Sequence, residues 1–140
     1  MSDLSIVVVG PNELLRRQVC DAVTLRDVHV AREYAIYPDV SQRHALSNLT
    51  EQDVLLVELD SNPEAGVDLV RQAASSTESI TVMVYSATKD ADLVVRCMQV
   101  GAREFLSVPL NSEQLSQALQ RLFSQLQIIF RCHLHYCKKQ

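Results

Sequence analysis

Asp53-Val54-Leu55-Leu56-Val57-Glu58 decides the fold. Its four apolar residues run without interruption between two carboxylates, and Asn62-Pro63 and Gly66 follow closely. A short run that is apolar at every position reads as a strand buried on both faces, as in a parallel sheet covered by helices. Glu58 then stands at the strand's carboxyl end, where open α/β sheets gather their sites.

Upstream, Ser5-Ile6-Val7-Val8-Val9 repeats the signal and stops at Gly10-Pro11. Asn12 is placed to cap a helix with Leu14, Leu15, Val19, Ala22 and Val23 on one face, and Arg16, Arg17 and Asp21 mostly on the other. Val28 to Ile36 is rich in β-branched residues and halts before Pro38, which predicts a strand. Ser41 to Leu49 is a short polar helix candidate.

Downstream, a loop through Asp60, Asn62 and Pro63 leads to a helix over Gly66 to Ala74, with Val67, Val70 and Ala74 toward the sheet. Ile80 to Tyr85 is a fourth strand, leading to Ser86-Ala87. Asp90 to Val100 is a helix with Leu93, Val94, Cys97 and Met98 apolar, stopped at Gly101. Glu104 to Val108 is a fifth strand, ended by Pro109. Asn111 with Gln114 resembles a capping box for a last helix striped by Leu115, Leu119, Leu122 and Leu126. Five strand–helix units in alternation predict an α/β fold with a parallel sheet, helices on both faces and right-handed crossovers.

Composition narrows the function. A chain of 140 residues, 47% hydrophobic and 21% charged, is enough for one domain with a real core. A net charge of −4 gives no basic face for nucleic acid. No run is long and apolar enough for a membrane span, and Met1-Ser2-Asp3 does not start a signal peptide. A cytoplasmic protein is expected, with Cys20, Cys97, Cys132 and Cys137 reduced.

From about Leu4 to Phe123 the chain resembles a response-regulator receiver domain, the flavodoxin-like fold of two-component signalling. The resemblance rests on Asp53–Glu58 followed by Pro63 and Gly66, on Tyr85-Ser86-Ala87, and most closely on Gly101-Ala102-Arg103-Glu104-Phe105-Leu106-Ser107-Val108-Pro109-Leu110. It implies a (βα)5 fold with strand order 2-1-3-4-5 and a cis bond between Val108 and Pro109. It also implies chemistry whose parts can be checked. The family uses a phosphoacceptor Asp ending the third strand, an acidic pair after the first strand that helps hold Mg²⁺, a Lys before the fifth-strand Pro, and a Ser or Thr after the fourth strand.

In this chain Glu58 stands at the acceptor position, Gly10-Pro11 replaces the acidic pair, Val108 replaces the Lys, and Ser86 alone is retained in kind. One Glu is not a cage for a hard cation. Phosphoryl transfer rests on positioning and charge neutralisation, so losing metal and Lys is expected to abolish it. The expectation is a degenerate pseudo-receiver, not an enzyme, with no catalytic residue, cofactor or metal. Glu58 is then either a mimic of a phosphorylated Asp or a partly exposed carboxylate bonded to Ser86 or to loop amides. Two alternatives stay open: a phosphorelay receiver accepting phosphate at Glu58 or Asp60, with Glu13 reaching toward a metal, and a small-ligand sensor around Gly10, Glu58 and Ser86. Asp60, near Asn and Pro, otherwise reads as turn-forming.

Gly-Pro after the first strand and Ser-Val-Pro at the fifth look like the N-terminal pseudo-receiver of pilus-assembly ATPases of the TadZ/CpaE type. That resemblance implies a localisation and partner-binding module ahead of a ParA/MinD-like ATPase domain, whose G-x-x-x-x-G-K-[ST] segment does not occur in this chain. It places partner docking, or a homodimer contact, on the fourth helix, fifth strand and fifth helix, with Asp92, Arg96, Arg103 and the switch-position aromatic Phe105. Residues 1–127 are read as the receiver-like domain and 128–140 as a tail, a helix extension with Cys132, His133, His135 and Cys137 poorly spaced for zinc. His29 and His44 are isolated and carry no assigned role.

Overall fold

A computed structural model describes residues 4–23, 28–38, 53–75, 80–88 and 90–122. They form strands β1 (Leu4–Val9), β2 (Val28–Tyr34), β3 (Asp53–Glu58), β4 (Thr81–Ser86) and β5 (Glu104–Ser107). The described helices are α1 (Glu13–Ala22), α2 (Pro63–Ala74), α3 (Ala91–Gln99) and α4 (112–122). All strand pairs are parallel and the order is β2-β1-β3-β4-β5, as expected for a flavodoxin-like receiver fold. The helix expected over Ser41–Leu49 and the tail from 128 lie outside the described residues.

The uninterrupted apolar runs are explained by the layers. In β1, Ile6 and Val8 face the core shared with Leu15 and Val19 of α1 and Leu115 and Leu119 of α4. Val7 and Val9 face the opposite core, with Val67, Leu69 and Val70 of α2 and Leu93 and Cys97 of α3. In β3, Leu56 joins the first layer, while Leu55 and Val57 join the second; all three are fully buried. Each such side chain contributes about 1.5–3 kcal/mol of burial, so the centre of the sheet anchors everything attached to its ends.

Caps set the helix starts. Asn12 Oδ1 accepts from Leu15 N at 3.2 Å, and Asp90 Oδ1 from Leu93 N at 3.2 Å. The capping box at α4 is complete: Asn111 Oδ1 accepts from Gln114 N at 2.7 Å, and Gln114 Oε1 from Asn111 N at 3.2 Å. Helix α2 begins at Pro63 rather than near Gly66, because Asn62 is its N-cap and Pro63 occupies the first turn, where a missing N–H costs nothing. Gly101 ends the α3 segment at φ 124°, a left-handed conformation in which a Cβ would meet the Ala74 side chain.

Several facing assignments need correction. Leu14 and Met98 are exposed, at 68% and 41%, because α1 and α3 each press a narrow stripe on the sheet. Ala73, with Leu69, is buried on α2, and Ala74 only partly so. Strand β2 stops at Tyr34, leaving Ile36 exposed in a bend.

Strand β2 also carries an extra residue. Ile6 pairs with Val30 but Val7 pairs with Arg32, so Ala31 has no partner on β1. Such a bulge switches the facing of all that follows. Val28 and Val30 pack on the α1 side, whereas Tyr34 packs on the α2 side.

Candidate functional site

The carboxyl ends of β1, β3 and β4 bring Gly10, Glu58 and Ser86 to one edge of the sheet, and Glu58 organises it. Its side chain is fully buried, against the expectation of a partly exposed carboxylate. Oε1 accepts from Asn12 N at 2.9 Å, and Oε2 accepts from Ser61 N at 2.7 Å and from the Ser61 hydroxyl. Loop amides hold it, as one of the expected arrangements has it, but Ser86 does not. A buried carboxylate is tolerated when N–H and O–H groups replace its water, and both oxygens are so supplied.

The room for this side chain comes from Gly10. A Cβ on residue 10 would run into Tyr85 Oη and lie 2.8 Å from Glu58 Oε1 and 2.9 Å from Glu58 Cβ. Tyr85 Oη donates to Val9 O at 3.0 Å, and Tyr37 Oη donates to Glu58 O at 2.7 Å. Burial, and next the Glu58 charge, push the Tyr37 hydroxyl up to about 12 and raise that of Tyr85 further. Both phenols stay protonated as donors. Arg16 Nη1 reaches back from α1 to Gly10 O at 2.5 Å and Arg16 Nε to Glu33 at 3.1 Å, so this expected surface arginine braces the end of β1.

Asp60 makes a separate set of bonds. Its Oδ1 accepts from the Ser86 hydroxyl and from Thr88 Oγ1 at 3.2 Å, and its Oδ2 accepts from Ala87 N at 2.7 Å. Asp60 is therefore not a local turn-former: its partners lie on the next strand's loop. Ser86, itself buried, passes the connection on through its carbonyl, which accepts from Val108 N at 2.9 Å.

These donors do not fit a divalent cation. Both Glu58 oxygens already accept from N–H and O–H groups, Gly10-Pro11 supplies no carboxylate, and Glu13 is exposed beside Arg17 at 3.7 Å. Among the described residues no three or more His, Cys, Asp and Glu side chains gather as a metal site requires. Val108 is buried at the end of β5 and the Val108–Pro109 bond is cis.

On the other surface, Asp92 and Arg103 are exposed and Phe105 is half-buried against the α2 and α3 layer. Arg96 is committed to a two-pronged pair with Glu64 of α2, at 3.0 and 2.9 Å. Glu104 is likewise held by Arg121 of α4, at 2.8 and 3.3 Å. Val95 adds an apolar side chain 52% exposed. Cys20 and Cys97 are free thiols, both raised by burial, Cys20 to about 11 with Glu33 adding to the effect. His29 is exposed and meets Ser5 Oγ at 3.2 Å; His44, Cys132 and Cys137 lie outside the described residues.

Residues 6–120 match the response regulator receiver domain family, and the chain belongs to that family. The signal receiver domain of the response regulator NarL from Mycobacterium tuberculosis superposes with a TM-score of 0.72 at 20% identity, covering 87% of this chain and 97% of that one. A pilus assembly protein, CpaE, from Burkholderia thailandensis superposes with a TM-score of 0.67 at 23% identity, covering 86% and 98%. These likenesses show the fold. A cyclic di-GMP phosphodiesterase of Thermotoga maritima is 32% identical over 63 residues, 45% of this chain. The match spans only 17% of that relative's length. Among the described residues no helix is long and apolar enough to cross a membrane.

Tyr37, Tyr85 and Ser61 receive no site role from sequence alone, although they shape the pocket around Glu58. One signal was available. A Gly ending one apolar strand beside a Glu ending its neighbour is a small residue matched to a large one.

Proposed function

We propose that this chain is a phosphorylation-independent receiver module, a non-enzymatic protein-interaction or localisation domain of a pilus-assembly system like that of TadZ/CpaE proteins. The observation that carries this is the state of Glu58. A nucleophile must reach the phosphoryl donor, and the Glu58 carboxylate, fully buried and held by three hydrogen bonds from Asn12 and Ser61, does not. Neither Gly10-Pro11 nor Val108 supplies the charges that would neutralise an incoming phosphate. The likeness to a CpaE structure supports the choice of system.

The module works in the cytoplasm and docks protein partners, or a second copy of itself, on α3, β5 and α4. There Asp92, Arg103, Val95 and Phe105 offer charge of both signs beside apolar surface. A ParA/MinD-like ATPase domain is its expected companion in the full-length protein.

Incubation with a small phosphodonor and Mg²⁺, followed by intact mass, tests the reading. No added phosphoryl group is expected. A stoichiometric phosphoryl adduct lost on Glu58→Gln or Asp60→Asn would restore the phosphorelay reading instead.

A further inference from the structure

Three donors converge on the Asp60 carboxylate from consecutive residues: the Ser86 hydroxyl, the Ala87 amide and the Thr88 hydroxyl. The Ser86 oxygen accepts from Thr88 N at 3.0 Å, and its proton has two acceptors in reach, the Asp60 carboxylate and Thr88 O at 3.1 Å, of which the carboxylate carries the charge. A hydroxyl, an amide and a second hydroxyl closing on two oxygens form an oxyanion site, the arrangement that backbone nests and short loops use for free anions. Here the oxyanion is tethered. It belongs to the loop after β3, and its partners are the last residue of β4 and the two that follow it.

We propose that Ser86-Ala87-Thr88 is an oxyanion cradle that this chain fills with its own Asp60 carboxylate, which holds residues 86–88 in place without any external anion. The inference rests on the phosphorylation-independent reading above and supplies the reason that the docking surface needs no input. One connection runs outward from the cradle. Ser86 O accepts from Val108 N, which ties the cradle to the end of β5. Asp90, just beyond the loop, caps α3. A second carboxylate from the same side, Glu64 in the first turn of α2, grips Arg96 of α3 with two bonds. Asp60 thus ties the loop after β3 to residues 86–88, and Glu64 pairs with α3 at the surface.

Amide hydrogen exchange on the full chain reads the cradle directly. In Asp60→Ala the Ala87 and Thr88 amides are expected to exchange faster, on the order of tenfold or more, since each loses a charged partner or its support. The amides of Val54 to Val57 are expected to keep their protection. Adding inorganic phosphate or sulfate to Asp60→Ala is expected to restore slow exchange at Ala87 and Thr88, with sodium chloride at equal ionic strength having no effect. The unmodified chain should ignore the same anions, because its cradle is full. Asp60→Asn keeps the shape but loses the charge, and should give a smaller acceleration with a weak anion response; it serves if the alanine variant does not fold.

Unchanged exchange at Ala87, or acceleration that neither oxyanion reverses, overturns the proposal. So does an equal oxyanion response in the unmodified chain. The phosphodonor experiment separates the two readings. A phosphoryl adduct on the unmodified chain ends the phosphorylation-independent reading, while a flat response of Asp60→Ala in a chain that takes no phosphoryl group removes the tethered anion alone.

Discussion

Gly10 and Glu58 divide one volume at the edge of the sheet: a Cβ on residue 10 would lie 2.8 Å from Glu58 Oε1. The longer carboxylate fits at the end of β3 because the end of β1 has given up its side chain. Gly10→Ala is therefore expected to destabilise the domain by about 1–3 kcal/mol, the usual cost of overpacking. Urea denaturation checks it, and the pair with Glu58→Ala should cost less than the sum of the two. Strict additivity would mean that the two residues do not share the space.

Glu58→Ala is expected to cost about 3 kcal/mol, since it opens a void and leaves the Asn12 and Ser61 amides without their acceptor. Glu58→Asp restores the residue type that receivers phosphorylate, yet it leaves Gly10, Pro11 and Val108 unchanged. That variant is expected to melt lower and to gain no phosphoryl mass from a phosphodonor with Mg²⁺. A phosphoryl adduct on Glu58→Asp would show that charge neutralisation comes from elsewhere.

Alkaline pH should expose the pocket. Tyr37 titrates at 10.0 in an unfolded chain and at about 12 when buried beside Glu58. A raised value favours the protonated, folded form, so this contribution is complete below pH 10 and is lost as pH rises toward 12. Tyr85 acts in the same direction. Urea midpoints across that range should fall less steeply for Tyr37→Phe, which also loses about 1 kcal/mol at neutral pH with its bond to Glu58 O. Parallel curves for the two proteins would contradict the assignment.

Asn111→Ala is expected to lower stability by about 1 kcal/mol, because it removes half of the reciprocal cap that starts α4. The loss should appear in the melting temperature and in faster exchange at Gln114. No change at Gln114 would argue against the cap.

Much of this fold is written in local pattern. Unbroken apolar runs give β1, β3 and β4 because burial on both faces removes the need for alternation. Asn12, Asp90 and Asn111 announce their helices because capping is a contact over three residues. Asn62-Pro63 carries the same signal for α2, but the pair also reads as a loop, and the helix starts earlier than expected for that reason. Facing is less legible at helix margins, as Leu14 and Met98 show. The site was legible in composition and not in connection. That Glu58 turns inward to Asn12 and Ser61, and that Asp60 rather than Glu58 takes Ser86, depends on partners as much as 46 residues apart, and no period in the chain encodes them.

The unpaired Ala31 makes the spacing along β2 itself informative. Beyond it Glu33 lies on the side of Arg16, 3.1 Å away, and Tyr34 lies on the side of Val9 and α2. Removing one residue would exchange the two, setting a carboxylate against apolar packing and stranding the arginine that braces Gly10. Position 31 should therefore accept many side chains and no deletion. A length polymorphism in this outer strand would be felt two strands away, through Gly10, at Glu58.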